Sequence, residues 1–570
     1  MAANGSSRPG RGRRIAALLA VLVVAAVMPS LLAPSAGAAQ GFVPISGSGS
    51  TWSSNALDQW RKNVASLYGI TVNYAPNGST SGRNDFRNGQ TDFAVTEIPY
   101  GLRDGGQFDP PPGRGFGYMP IVAGGTSFMY NLKIGNRRVT NLRLSGETIT
   151  KIFTQKITNW SDPEIKADNP GLALPPRKIV PVVYSNGSGT AAQFTAWMAS
   201  QYGALWDDYC HRNGRNTPCG FTSFYPLGPG MEAKAQSQGV ASFVAQDASE
   251  GAITFVEYSY ARNAGFPVAK VLNKANYYVE PRAGSVAVAL LNAKIAPDLT
   301  QDLSQVYINP DPRTYPLSSY SYMVLPKDTS PGSNFNNEKG RTFSEFAAYF
   351  LCEGQQQADI LGYSPLPINL VQAGVDQINQ VPGSTRKLNR DDLSRCNNPT
   401  VSPDGGNRVA KEAPQPDPCD LKGAPTQCAT GTGGAQEITP TSGGGSGGPS
   451  TGGAGGAGAG GAGGGGPGGG GGTDPTSAAA GGGGEELQGG TGPAGGLAAG
   501  IDPDTGQVID GALASGPGSS GASAVPVSVD VADNRRQMLL AALTIIVLLA
   551  LVFGPPLVAY TMRSREGPRA

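Results

Sequence analysis

Three short segments combine glycine with hydroxyl side chains: Gly47-Ser48-Gly49-Ser50-Thr51-Trp52, Asn77-Gly78-Ser79-Thr80-Ser81-Gly82 and Asn186-Gly187-Ser188-Gly189-Thr190. At least two follow a β-like run, Ile70–Tyr74 and Ile179–Tyr184, and all three precede a helix-like segment, at Ser54–Tyr68, Arg83–Asn88 and Ala191–Gln201. Such a segment suits an anion. Glycine lets backbone approach a ligand closely, serine and threonine donate hydrogen bonds, and the unpaired N–H groups of a helix start face negative charge. A single Gly/Ser cluster is ordinary turn chemistry. Three in strand–loop–helix context predict a binding site.

The elements that must position these loops alternate. Leu57, Trp60, Val64, Leu67 and Tyr68 recur at helical spacing, and Ile70–Tyr74 alternates like a strand. Asp92–Thr96, Tyr118–Val122 and Thr126–Leu132 read as further strands, followed by a helix around Gly146–Thr154. The strand Ile179–Tyr184 leads into a helix that carries Phe194, Trp197 and Met198 on one face. Alternating strands and helices predict an α/β fold, in which ligands lie beyond the C-terminal strand ends. The Gly/Ser loops fall there.

The ends of the chain bound its setting. Arg8, Arg11, Arg13 and Arg14 precede an apolar run from Ile15 to Met28 and small residues up to Ala38, so residues 1–38 read as an export signal. The pair Arg13-Arg14 leaves both the twin-arginine and the ordinary secretory route open. No cysteine precedes Cys210, which excludes a lipidated cysteine near the cleavage site. Met538–Thr561 is a run of 24 residues without a charge, long enough to span a bilayer as a C-terminal helix, with residues 562–570 as a cytoplasmic tail. Between them residues 397–537 read as a disordered linker, because 34 of the 70 residues from Gly431 to Gly500 are glycine and cannot build a core. A coil of that length spans about 60–70 Å. The expected placement is therefore the cell membrane, single-pass, with residues 40–396 outside as the folded part.

Composition removes several function classes. A net charge of +1 favours neither nucleic acid nor a basic membrane patch. The six cysteines, Cys210, Cys219, Cys352, Cys396, Cys419 and Cys428, suggest disulfides in an exported chain, with nearest-neighbour pairing the simplest connectivity. Cys210-His211 beside Cys219 lacks the paired spacing and the second histidine of a zinc site, so no metal and no cofactor is expected. His211 is the only histidine, and no non-trivial nucleophile motif accompanies it. That argues against an enzyme, with Ser79 and Ser188 as hydrogen-bond donors rather than nucleophiles.

With these loops in place, the chain resembles the phosphate-binding protein of the phosphate ABC importer, the PstS family of the periplasmic-binding-protein superfamily. The resemblance covers roughly Ile45–Leu370 and includes Gly47–Trp52, Val72-Asn73-Tyr74, Gly78-Ser79, Thr91-Asp92-Phe93, Trp160, Asn169-Pro170-Gly171-Leu172, Asn186–Thr190, Glu250-Gly251-Ala252-Ile253, Val256-Glu257-Tyr258 and Tyr315-Pro316-Leu317-Ser318. It implies a two-lobed type II periplasmic-binding fold that closes around one anion. The first lobe would take about residues 40–123 and 300–396, and the second about 124–299. It also implies that Thr51 and Trp52 face the ligand with their backbone N–H groups, Thr51 adding its hydroxyl, and that Ser79, Ser188, Gly189 and Thr190 complete the donors. Two positions depart from the pattern. The family's aspartate corresponds to Glu97, one methylene longer, and its phosphate-pairing arginine corresponds to Tyr184. An arginine–phosphate contact contributes about 1.5–3 kcal/mol. Arg83, opening the second loop's helix, is a candidate to replace that charge, against the plainer reading of a solvated surface arginine. The implied function is an extracellular solute receptor for phosphate or a related oxyanion that serves an ABC permease. The alternative is a surface protein that keeps the scaffold, binds another ligand and transports nothing.

Overall fold

Ile45–Gly49 (β1) is a strand whose last three residues are Gly-Ser-Gly, and its neighbours explain why. It lies between two parallel partners, Val72–Ala75 (β2) and Phe93–Thr96 (β3). A Cβ on Gly47 would stand 2.1 Å from the Phe93 ring, and one on Gly82 would stand 2.3 Å from the Gly49 Cα. Glycine here serves close packing inside a sheet, so the first loop begins only at Ser50. The structure is a computed structural model that describes residues 41–441, except 330–333, 387, 394–395 and 401–405. The proposed export signal and Met538–Thr561 lie outside these residues, and among the described residues no helix is long and apolar enough to cross a membrane.

One long strand joins two lobes. Phe116–Tyr130 (β4) replaces the two separate strands expected at Tyr118–Val122 and Thr126–Leu132. The intervening Gly124-Gly125 reads as a break in the sequence but is needed for close approach. A Cβ on Gly124 would stand 2.8 Å from the Trp52 ring, and one on Gly125 would stand 2.5 Å from Pro281. Val180–Tyr184 (β5), Glu232–Lys234 (β6), Ala252–Glu257 (β7), Val268–Leu272 (β8) and Ser318–Pro326 (β9) complete the main strands. Their order is β6-β5-β7-β4-β9-β3-β1-β2, with β8 also on β4. The first half of β4 pairs antiparallel with β9, from Phe116↔Pro326 to Gly125↔Ser318. Its second half pairs with β7, from Thr126↔Glu257 to Tyr130↔Ile253. The passage between lobes therefore falls at Gly125–Thr126.

Each lobe has its own core. In the first, Ser54–Tyr68 (α1) buries Leu57, Trp60 and Val64 at helical spacing and ends at Gly69, whose φ of 67° accommodates the left-handed cap. Trp60 stacks on Phe350 at 5.4 Å. The second lobe centres on Phe194, which lies 4.6 Å from Phe255 and 5.2 Å from Phe153, ring to ring. The disulfides are Cys210–Cys219, Cys352–Cys396 and Cys419–Cys428, the nearest-neighbour pairing.

The linker expected to start at residue 397 does not. Residues 406–441 are folded, and much of this segment forms a strap over the second lobe. Asn141 Nδ2 donates to the Cys428 carbonyl at 2.7 Å, Arg143 Nη1 donates to the Cys419 carbonyl at 3.0 Å, and Lys270 pairs with Asp420 at 2.5 Å. Thr432 borders β8, with its Oγ1 accepting from the Val268 N–H at 3.1 Å. Such a segment needs no apolar periodicity. Its backbone is held by hydrogen bonds to distant residues and by one disulfide.

Candidate functional site

The C-terminal ends of β1, β2, β3, β5 and β6 meet at the junction of the lobes. After β1 comes Ser50-Thr51-Trp52; after β2, Ser79–Arg87 (α2) starts at Ser79; Glu97 follows β3 directly. From the second lobe, β5 ends at Tyr184 and Gly189–Gln201 (α3) begins after Ser188, while β6 leads to Gln236–Val244 (α4) with Ser237 in its first turn. Parallel strands feeding helices place helix N-termini at one end of each half-sheet.

Glu97 is the centre of the first-lobe side. It is 1% exposed, its Oε1 accepts from Ser50 Oγ at 2.6 Å and Ser321 Oγ at 2.7 Å, and its Oε2 accepts from Ser79 Oγ at 2.7 Å. Burial raises its pKa above the ordinary glutamate value, and the hydroxyls of Ser50, Ser321 and Ser79 oppose that rise. Its recorded partners are hydroxyls rather than a lysine or arginine. The carboxyl reaches across to the second lobe, since a Cβ on Gly189 would stand 1.8 Å from Oε2. Only glycine allows that approach at the start of α3.

The second-lobe side is neutral. The Tyr184 hydroxyl lies 3.1 Å from Ser237 Oγ, its ring packs 5.5 Å from Phe255, and burial pushes its pKa up against the opposing hydroxyls of Ser237 and Thr190. It is a phenol at any physiological pH, so the position implied for a cation carries none. Ser188 caps α3, its Oγ accepting from the Ala191 N–H at 3.3 Å.

The lobes touch directly across this junction. Thr51 Oγ1 lies 2.8 Å from Ser237 Oγ, the Gly189 N–H donates to Ser79 Oγ at 3.1 Å, Gln193 Nε2 donates to the Glu97 carbonyl at 2.9 Å, and Thr80 Oγ1 lies 3.0 Å from Ser223 Oγ. Beside it, a cavity of about 360 Å³ opens between the lobes, lined by the Glu97 region, Leu102, Phe221, Leu303 and Tyr307, with Gln193 on its wall.

Thr51, Ser79, Glu97, Tyr184, Gly189 and Thr190 are thus brought together, with Ser188 one residue behind the α3 start. Trp52 is buried at the edge, its N–H donating to Ser50 Oγ at 3.0 Å, within its own loop. Arg83 is neither a site cation nor a solvated surface residue. It is 1% exposed, its Nε donates to Asp109 Oδ2 at 2.6 Å and its Nη1 to Thr96 Oγ1 at 3.0 Å. Both readings of that residue are corrected, because a buried guanidinium needs a carboxylate and Asp109 supplies it. Sequence reasoning missed Ser50, Ser237 and Ser321. Ser50 stood inside a quoted loop and Ser237 opens a helix after a short strand. Ser321 sits in a buried strand that carries no mark of a site. For metals, Cys210 and Cys219 are bonded to each other, as are Cys419 and Cys428, so the grouping of Asp417, Asp420 and Cys428 offers no thiolate.

The description PBP superfamily domain matches residues 33–353. The phosphate-binding protein PstS of Xylella fastidiosa is 30% identical over 331 residues, spanning 58% of this chain and 83% of that one. The phosphate-binding protein PstS 2 of Mycobacterium tuberculosis is 30% identical over 330 residues, spanning 56% of this chain and 82% of that one. The solved structure of a high affinity periplasmic phosphate-binding protein, PfluDING, bound with phosphate, aligns at 18% identity over 61% of this chain and 100% of its own, with a TM-score of 0.44. The chain belongs to the PBP superfamily and, within it, to the family of the PstS phosphate-binding proteins.

Proposed function

We propose that this chain is an extracellular, membrane-tethered solute receptor for phosphate or a related oxyanion, and that it presents its ligand to an ABC permease. The observation that carries the reading is the convergence of Thr51, before α1, and Ser79, at the start of α2, with Gly189 and Thr190 at the start of α3 from the other lobe. Hydroxyls and the N–H groups at helix starts are the donors an oxyanion needs. The relatives named PstS are described as phosphate-binding proteins, and the receptor role is carried over from them. The role is binding without catalysis. The tether in this reading is Met538–Thr561, joined to the folded part by the Gly-rich segment beyond residue 441. Calorimetry on the full chain in lipid nanodiscs, with phosphate and sulfate in turn, tests the ligand. Saturable oxyanion binding is expected, weaker than a site holding an arginine would give.

A second reading keeps the scaffold and changes the ligand, leaving a surface protein with no part in transport. It is favoured by Glu97 and Tyr184 at the charged positions, and by the apolar-walled cavity beside them. Absence of oxyanion heat, with binding from a panel of neutral metabolites, would select it.

A further inference from the structure

An oxyanion site is recognised by what it offers a negative group: several O–H and N–H donors, closely spaced, with a helix start behind them. In this chain one carboxyl group already meets that description. The Glu97 carboxyl takes donors from three separate elements, Ser50 after β1, Ser79 at the first position of α2, and Ser321 in β9. Ser79 in turn accepts from the Gly189 N–H at the start of α3, so the chain of bonds runs from a second-lobe helix end through Ser79 to the carboxyl. The fit is steric as well. Oε2 lies 1.8 Å from where residue 189 would carry its Cβ, and Ser79 Oγ lies 2.6 Å from the same point. An acid one methylene shorter would stop short of this place.

We propose that the Glu97 carboxyl is a built-in occupant of the oxyanion site, seated on the Ser50, Ser79 and Ser321 hydroxyls and against the Gly189 backbone, so that an external oxyanion enters only by displacing it. Residue 97 thereby sets how open the site is to anions. The three hydroxyls cannot serve Glu97 and an external oxyanion at once, and Tyr184 supplies no cation that would hold both acids in place. The inference rests on the oxyanion reading above, and it adds that the site's own side chain competes with the ligand.

The test uses the full chain in nanodiscs. Phosphate is titrated by calorimetry into the wild type and into Glu97→Ala, with expected tightening of tenfold or more in the variant. Thermal unfolding then compares Gly189→Ala in both backgrounds. The added methyl should lower Tm strongly in the wild type and less with Glu97→Ala, because the nearest atom it strikes is gone while Ser79 Oγ, 2.6 Å away, remains in both. Should Glu97→Ala fail to fold, Glu97→Gln carries the titration, with a gain of several-fold expected from removing the charge alone. Phosphate binding that is equal or weaker in these variants than in a binding wild type overturns the proposal and leaves the oxyanion reading standing. If folded wild type and variants bind neither phosphate nor sulfate, both fall. Equal cost of Gly189→Ala in the two backgrounds overturns the seating directly.

Discussion

The two lobes bring different chemistry to the face they share. The first turns its hydroxyls inward upon its own acid: Ser50, Ser79 and Ser321 all end on Glu97. The second meets it with a phenol, a capped helix start and Ser237, with no charge at Tyr184. They also keep their shape differently. The first lobe closes its chain with a disulfide between Cys352 and Cys396, 44 residues apart, while the second is covered by a polar strap closed by Cys419–Cys428, nine residues apart. The same fold unit is stabilised on one side mainly by a large apolar core and on the other by a core plus an outer layer of hydrogen bonds. At the junction the acid, Glu97, belongs to the first lobe, and the second lobe faces it with the neutral Tyr184.

Breaking the covalent half of this comparison should have the largest effect. Replacing Cys352 and Cys396 by serine releases the longer loop and should cost about 4 kcal/mol of stability, against about 2–3 kcal/mol for Cys419 and Cys428. Denaturant unfolding of each double variant measures both, and equal losses would mean that loop length is not what separates them. Next comes the charge imbalance. Tyr184→Arg should tighten phosphate binding by roughly tenfold or more, corresponding to the 1.5–3 kcal/mol of a charge-assisted pair. An unchanged titration would show that residue 184 does not face the ligand.

The pH dependence sharpens the contrast further. Burial raises the Glu97 pKa in the folded protein, so the folded state holds its proton more tightly than the unfolded chain, whose value is about 4.3. The stability linked to Glu97 is therefore fully present below about pH 4.3 and is lost as pH rises through the folded value, at up to about 1.4 kcal/mol per pH unit. Glu97→Gln should thus lose less Tm than the wild type between pH 4.5 and 8. Tyr74 and Tyr184, which face Glu97, are themselves pushed upward by burial and stay neutral over this range. Glu257, buried and raised in the same direction at the end of β7, contributes the same trend in both proteins and cancels from the difference. The smallest effect is expected at a single bond across the lobes. Asn55 Nδ2 donates to Ser259 Oγ at 2.8 Å, and Asn55→Ala should weaken closure by about 0.5–1.5 kcal/mol, visible as a modest increase in radius of gyration by X-ray scattering.

Much of this was legible in the sequence, and the exceptions share a cause. Helix Ser54–Tyr68 announces itself because Leu57, Trp60 and Val64 repeat at the helical period. The loops at Ser79 and Ser188 are legible because glycine, hydroxyl and helix start stand next to one another along the chain. Strand β1 is hidden because Gly47-Ser48-Gly49 reads as a turn until the Phe93 ring that fills the glycine's missing side chain is in view. Arg83 could not be placed because its partner, Asp109, is 26 residues away in the sequence. The strap was invisible for the same reason: Thr432, Gln427 and Asp420 are anchored by Thr140, Asn141 and Lys270, far back in the chain. Local pattern reveals what local residues do together, and long-range polar pairing leaves no periodic trace.

The strap also decides where a pull on the chain is felt. The last described stretch is pinned to the second lobe by Thr439, bonded to Thr140, while Thr441 bonds back to Gln427 within the strap, just beyond the Cys419–Cys428 bond. Tension applied from beyond residue 441 would pass into the second lobe through those bonds. The first lobe, with Thr51, Ser79 and Glu97, would then take that load only through its bonds to the second lobe, such as Thr51 to Ser237 and Gly189 to Ser79.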